Sequence, residues 1–189
     1  MRPPDIRESP LPHPHEPVLR LLSEDELAHR VTELARQIST DYTGKHPLLV
    51  GVLKGAFVFM ADLVRRLTIP IECDFVRLSS YGSSTTTSGQ VTLLVDLKTP
   101  IEARHVLVVE DIVDTGLSQA WLFDDLIRRR PATLRLCALL DKPSRRRASV
   151  PIDYLGFTVP NRFVVGYGID WDERFRELPY VGYIPSQEP

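Results

Sequence analysis

Val106-Leu107-Val108-Val109-Glu110-Asp111-Ile112-Val113-Asp114-Thr115-Gly116 is the stretch that decides the fold. Four apolar, mostly β-branched residues run into two adjacent carboxylates. Asp114, Thr115, Gly116, Leu117 and Ser118 follow, and then a helical pattern begins. This reads as a buried strand over 106–109, a short loop and a helix N-terminus. Backbone N–H groups from Asp114 to Ser118 can hold a phosphate where the helix dipole favours negative charge. Glu110 and Asp111 can accept hydrogen bonds from a sugar diol. Acids at the mouth of an anion cradle suit a ligand that carries both hydroxyls and phosphate. A generic strand-to-helix turn is the plainer reading, but two carboxylates at a strand end are costly without a ligand.

Working outward, apolar runs at 47–53, 71–78, 91–95 and 134–140 read as further strands, with shorter ones at 154–157 and 163–165. Ser23-Glu24-Asp25-Glu26 is a capping box, and Leu27, Val31, Leu34, Ala35 and Ile38 share the helical face that follows. Residues 55–67 return to helical spacing. Residues 118–129 form a helix expected to turn Leu122, Leu126 and Ile127 inward. Strands alternating with helices predict an α/β fold with a central parallel sheet flanked by helices. Ligands bind such sheets at the strands' carboxyl ends, where Glu110 and Asp111 fall.

Length and composition agree. The chain has 189 residues, 43% hydrophobic and 25% charged, with net charge -2. That suits one domain with a sizeable core and argues against a general nucleic-acid binder. No apolar run is long enough to span a membrane, and no secretory leader is visible. Cys73 and Cys137 lie in apolar runs and are expected to be buried free thiols in a reducing cytoplasm, with a disulfide as the alternative. Residues 1–17 hold six prolines and read as a disordered tail, leaving 18–189 as a single domain. Residues 79–90 read as a mobile polar loop. Arg128-Arg129-Arg130 and Arg145-Arg146-Arg147 read as solvated faces.

The decisive stretch resembles the signature of the phosphoribosyltransferases that use phosphoribosyl pyrophosphate (PRPP): apolar residues, two acids, two apolar residues, Asp-Thr-Gly. Leu53-Lys54-Gly55 resembles the pyrophosphate-binding element of the 6-oxopurine members, where the bond before the lysine is often cis. Asp141-Lys142-Pro143, then 156–170, then Arg174-Phe175-Arg176-Glu177-Leu178-Pro179 match the hypoxanthine (hypoxanthine-guanine) phosphoribosyltransferase family in order. The resemblance runs from about Leu22 to Ile184.

What it implies is specific. The fold would be the type I phosphoribosyltransferase fold, with a small hood formed by the terminal segments. The reaction would move 5-phosphoribosyl from PRPP to N9 of hypoxanthine or guanine, giving IMP or GMP and pyrophosphate, with Mg²⁺ as cofactor. Glu110 and Asp111 would hold the ribose, and Asp114 to Ser118, with Leu117 between, the 5′-phosphate. Lys54, Gly55 and Arg176 would hold pyrophosphate. Lys142 would donate to purine O6, Phe163 would stack on the base, Val164 would read its ring edge, and Asp170 would line the same site. Glu110, Asp111 and Asp170 would be the metal ligands. Asp114 would be the acid or base at purine N7, and Ser80-Tyr81 would belong to a closing loop. A homodimer or homotetramer is expected. Two departures stand out: Leu117 where some relatives carry lysine, and Ala56 where some carry a second glycine. The alternatives are a PRPP enzyme for another base such as xanthine, or an RNA-binding regulator on the same fold.

Overall fold

The computed structural model describes residues 17–80 and 91–185. In chain order the elements are β1 (Leu19–Leu22), α1 (Glu24–Asp41), β2 (Leu48–Leu53), α2 (Phe57–Val64), β3 (Glu72–Ser80), β4 (Val91–Val95), β5 (His105–Val113), α3 (Leu117–Arg128), β6 (Thr133–Asp141), β7 (Tyr154–Thr158), β8 (Val164–Val165) and β9 (Val181–Tyr183). A single 3₁₀ turn, Pro143–Arg145, follows β6.

Six strands form one sheet in the order β4-β3-β2-β5-β6-β7, parallel except for β4, which pairs antiparallel with β3 at one edge. Alternation along the strands feeds two cores. Leu49, Leu107, Val109 and Cys137 meet α1 and α2 on one face. Leu48, Val50, Val106, Val108, Leu136 and Ala138 meet Leu122 and Leu126 of α3 on the other. Residues one apart in a strand point to opposite faces, so a run of apolar residues is what a sheet covered on both sides requires. Helix α1 starts on the capping box: Ser23 Oγ accepts from Glu26 N at 3.3 Å, and Glu26 Oε2 accepts from Ser23 N at 2.8 Å.

A second sheet, β1-β9-β8, is antiparallel and joins segments from near the two ends of the described chain. It forms the expected hood. Strand β8 carries Val164 into the region above the main sheet's carboxyl edge.

Four expectations change. Strand β5 does not stop at Val109 but runs through the acid pair to Val113, because β6 keeps pairing with it as far as Val113↔Asp141. Ile127 is 60% exposed, since it lies one residue beyond fully buried Leu126 and off the face that Gln119, Leu122 and Leu126 turn inward. Cys73 is exposed while Cys137 is buried, and both are free thiols. Cys73 lies on β3 opposite Leu49, one strand in from the β4 edge of the sheet. The second Arg run, described below, stays exposed at Arg145 and Arg147 but also engages the loop and acids of the site, which a plain solvated face would not. The N-terminal tail (1–16), Tyr81 and the rest of the expected closing loop to residue 90 lie outside the described residues. Among those residues no helix is long and apolar enough to cross a membrane.

Candidate active site

Alternation continues past Val109 and separates the two acids. Glu110 follows Val106 and Val108 to the α3 side, where Gln119 of α3 hydrogen-bonds its carboxyl. Asp111 follows Leu107 and Val109 to the α2 side, where it meets the loop after β2. A Cβ built on Gly55 would stand 2.0 Å from Asp111 Oδ2, so only glycine permits that approach. The peptide bond between Leu53 and Lys54 is cis, as expected.

Glu110 and Asp111 are 6% and 9% exposed. Burial pushes both carboxyls above their ordinary range. The Asp111 charge adds to the rise at Glu110, while backbone N–H groups pull Asp111 partly back. Glu110 Oε2 is buried without a hydrogen-bond partner. Folded, the pair keeps protons that the unfolded chain releases above about pH 4. By linkage it therefore lowers stability as pH climbs from there through the raised folded values. Glu110→Gln removes the titration and leaves an amide able to donate to Asp111. In melts without metal or ligand, the variant should exceed wild type in Tm near pH 7, by ~2–4 °C for each kcal/mol. The gap should close toward pH 4, and one that is constant with pH would reject the assignment.

The loop after β5 is built to present its backbone. Gly116 is the N-cap of α3 at φ 79°, a left-handed conformation that suits glycine. The 3₁₀ segment after β6 packs on this loop. Arg147 N and Ala148 N donate to Thr115 O at 2.8 and 3.1 Å, and Lys142 N donates to Val113 O at 3.0 Å. These contacts fix the loop while Leu117, which is exposed, adds only its N–H to the cradle.

Beside the loop is a cavity of about 410 Å³ lined by Asp114, Lys142, Phe163, Val164 and Asp170, all expected, with Ile112, Arg145, Asn161, Arg162 and Ile169 added. Lys142 is nearly buried, and desolvation lowers its pKa. Its Nζ lies 4.0 Å from Asp114 Oδ2, and Arg145 Nε donates to Asp114 Oδ1 at 3.1 Å. Two cations thus face one carboxylate at the cavity wall.

Arg145 was hidden in a charge run. In the fold, Arg145 pairs with Asp114, Arg146 pairs with Asp141, and Arg147 braces the loop through its backbone. The other run behaves as expected. Arg128, Arg129 and Arg130 reach Asp125, Asp96 and Glu102 at the surface.

The third corner holds Lys54, Arg176, Asp170 and Glu173. Arg176 donates to Gly168 O at 2.8 Å and pairs with Asp170 Oδ1 at 2.8 Å. Lys54 Nζ reaches Glu173 Oε2 at 2.8 Å. Lys54 first, then Arg176, hold the Glu173 carboxyl below the usual range. Glu173 escaped the sequence reading, as did Gln119; the Asp170-x-x-Glu173 spacing just before Arg176 was the available signal. The acids of the expected metal set are spread out. Among the described residues no three His, Cys, Asp or Glu side chains gather as a metal site.

This architecture, with an acid pair inside a strand, an amide cradle and a base-sized cavity at one sheet edge, has close counterparts. Residues 18–172 match the family model described as the phosphoribosyl transferase domain. The chain belongs to the phosphoribosyltransferase family. It is 45% identical over 164 residues to the hypoxanthine-guanine phosphoribosyltransferase of Bacillus subtilis, covering 87% of this chain and 91% of that one. It is 49% identical over 167 residues to the bifunctional protein TilS/HprT of Listeria monocytogenes, covering 88% of this chain but spanning only 26% of that longer relative. A crystal structure of a hypoxanthine-guanine phosphoribosyltransferase from Bacillus anthracis superposes with a TM-score of 0.81 at 42% identity, covering 87% of this chain and 96% of that one.

Proposed function

We propose that this chain is a 6-oxopurine phosphoribosyltransferase of purine salvage, working as the single domain 18–189. It transfers 5-phosphoribosyl from PRPP to N9 of hypoxanthine, guanine or both, releasing IMP or GMP and pyrophosphate. The observation that carries this reading is Lys142, a nearly buried donor beside Asp114 in the 410 Å³ cavity. An ammonium has donors only, so it accepts a 6-oxo group and rejects a 6-amino group.

Each corner of the site then has a task. Phe163 offers a flat face to the base, and the Val164 backbone reads its edge. Asp114 accepts from N7 and takes or returns a proton there. The amides and hydroxyls of 114–118 hold the 5′-phosphate. Glu110 and Asp111 orient the ribose hydroxyls. Lys54, Gly55 and Arg176 receive the departing pyrophosphate, on which negative charge grows as the sugar becomes cationic. Magnesium, held with PRPP, would add further charge neutralisation there. The unpartnered Glu110 Oε2, Asp111 and Asp170 are hard oxygen donors that fit it. Because these acids do not converge as one cluster, PRPP oxygens and water would supply the other positions. The working form is a cytoplasmic homodimer or homotetramer.

The test is a panel assay with PRPP, Mg²⁺ and each free base. Nucleotide should form with hypoxanthine or guanine and not with adenine. Nucleotide from adenine, or from no base, overturns the reading. Within that assay Lys142→Gln should narrow the preference for 6-oxo over 6-amino purines, since an amide can donate or accept. The charged hydrogen bond lost corresponds to about 1.5–3 kcal/mol. Unchanged 6-oxopurine affinity would remove Lys142 from O6.

A further inference from the structure

The cations assigned to pyrophosphate already hold an anion that belongs to the protein. Glu173 places both carboxylate oxygens on Lys54 Nζ, at 2.9 and 2.8 Å, and one of them 3.3 Å from Arg176 Nη2. Its backbone is fixed independently: Glu173 N donates to Asp170 Oδ2 at 2.9 Å, and Trp171 and Arg174 bridge across the turn. Only the side chain, 64% exposed, needs to swing for the cations to be released. Arg176 also keeps a group in reserve, because its Nε is buried without a partner while Nη1 and Nη2 are engaged.

We propose that Glu173 is a built-in competitor for the pyrophosphate subsite, a carboxylate that occupies Lys54 and Arg176 until the diphosphate displaces it and that returns as pyrophosphate leaves. The inference rests on the functional reading above and goes beyond it, since it sets how tightly that site holds its anion. With Glu173 in place the corner pairs two cations, Lys54 and Arg176, with two carboxylates, Glu173 and Asp170. An incoming diphosphate must break the Lys54 contact, so its affinity is lowered by whatever that contact is worth. Exposed pairs are weak, so the contact tempers binding without blocking it. Such tempering speeds release of a product held by charge.

The competing view makes Glu173 a brace that keeps Lys54 and Arg176 in position. The two views predict opposite signs. Calorimetric titration of magnesium pyrophosphate into the full-length chain and into Glu173→Gln decides between them. The competitor predicts that Glu173→Gln binds about 3–5-fold more tightly, with pyrophosphate inhibiting turnover at correspondingly lower concentration. The gain should shrink at high salt, as the lost contact is solvent-exposed. Glu173→Ala, which removes any residual amide contact to Lys54, should bind at least as tightly as Glu173→Gln. Equal or weaker binding by both variants overturns the competitor. If wild type itself bound no pyrophosphate and made no nucleotide, the functional reading would fall first and this inference with it.

Discussion

Asp114→Asn should cut turnover by about 10²-fold or more while PRPP binding stays close to wild type. The substitution conserves shape. Arg145 Nε still finds an oxygen where Oδ1 accepts at 3.1 Å, and the loop braces run through Thr115 O, Lys142 N and the backbone after it, none of which involves the Asp114 side chain. The amide cradle therefore keeps its geometry. What is lost is a carboxylate that can take or return a proton at the base, at the wall of the cavity that Lys142 and Phe163 line. Steady-state kinetics with a separate PRPP titration tests both halves. Turnover near wild type would move the acid–base role elsewhere, and parallel loss of PRPP affinity would show that Asp114 supports the loop instead.

Gly55→Ala should disturb the site sharply for so small a change. The added carbon would meet Asp111 at Oδ2 (2.0 Å), Cγ (2.5 Å) and Oδ1 (2.8 Å), all closer than atoms tolerate. Asp111 is buried between strands and cannot step aside without moving β5 or the Lys54 loop. Overpacking of this kind costs about 1–3 kcal/mol of stability. Because the clash lies between the acid proposed to hold ribose and the loop proposed to hold pyrophosphate, PRPP affinity should fall by roughly 10-fold or more, the effect of about 1.4 kcal/mol. Thermal melts and PRPP titration report the two effects separately. A variant with wild-type Tm and affinity would mean that the loop and the acid do not touch.

Much of this arrangement was legible in residues 106–118, because strand alternation is strict and a loop of Asp, Thr, Gly and Ser before a helix has few uses. The two-core sheet, the hood, the inward residues of α1 and the cavity lining at Asp114, Lys142, Phe163, Val164 and Asp170 follow the expected lines. The differences share a cause: they depend on partners far away in sequence. The continuation of β5 past Val109 is decided by β6, about thirty residues later. Arg145 looks like surface charge until the chain brings Asp114 to it, and Glu173 looks like any exposed acid until Lys54 arrives from 119 positions upstream. Ile127 is apolar, but it stands off the helix face that buries Gln119, Leu122 and Leu126. The metal set follows from the family resemblance, and the protein atoms alone do not assemble it.

The hood has a consequence for synthesis. Strand β9 (Val181–Tyr183) holds β1 on one side and Val164 of β8 on the other, and it follows every other element described. A chain emerging from the ribosome therefore carries Glu110, Asp111 and the 114–118 loop well before β8 has its partner. The cavity proposed for the base is completed only when the last strand arrives and finds a partner near residue 20. Contacts between such distant segments form late because a long loop must close first. Nascent or C-terminally clipped chains should thus retain sugar and phosphate from PRPP better than they retain purine.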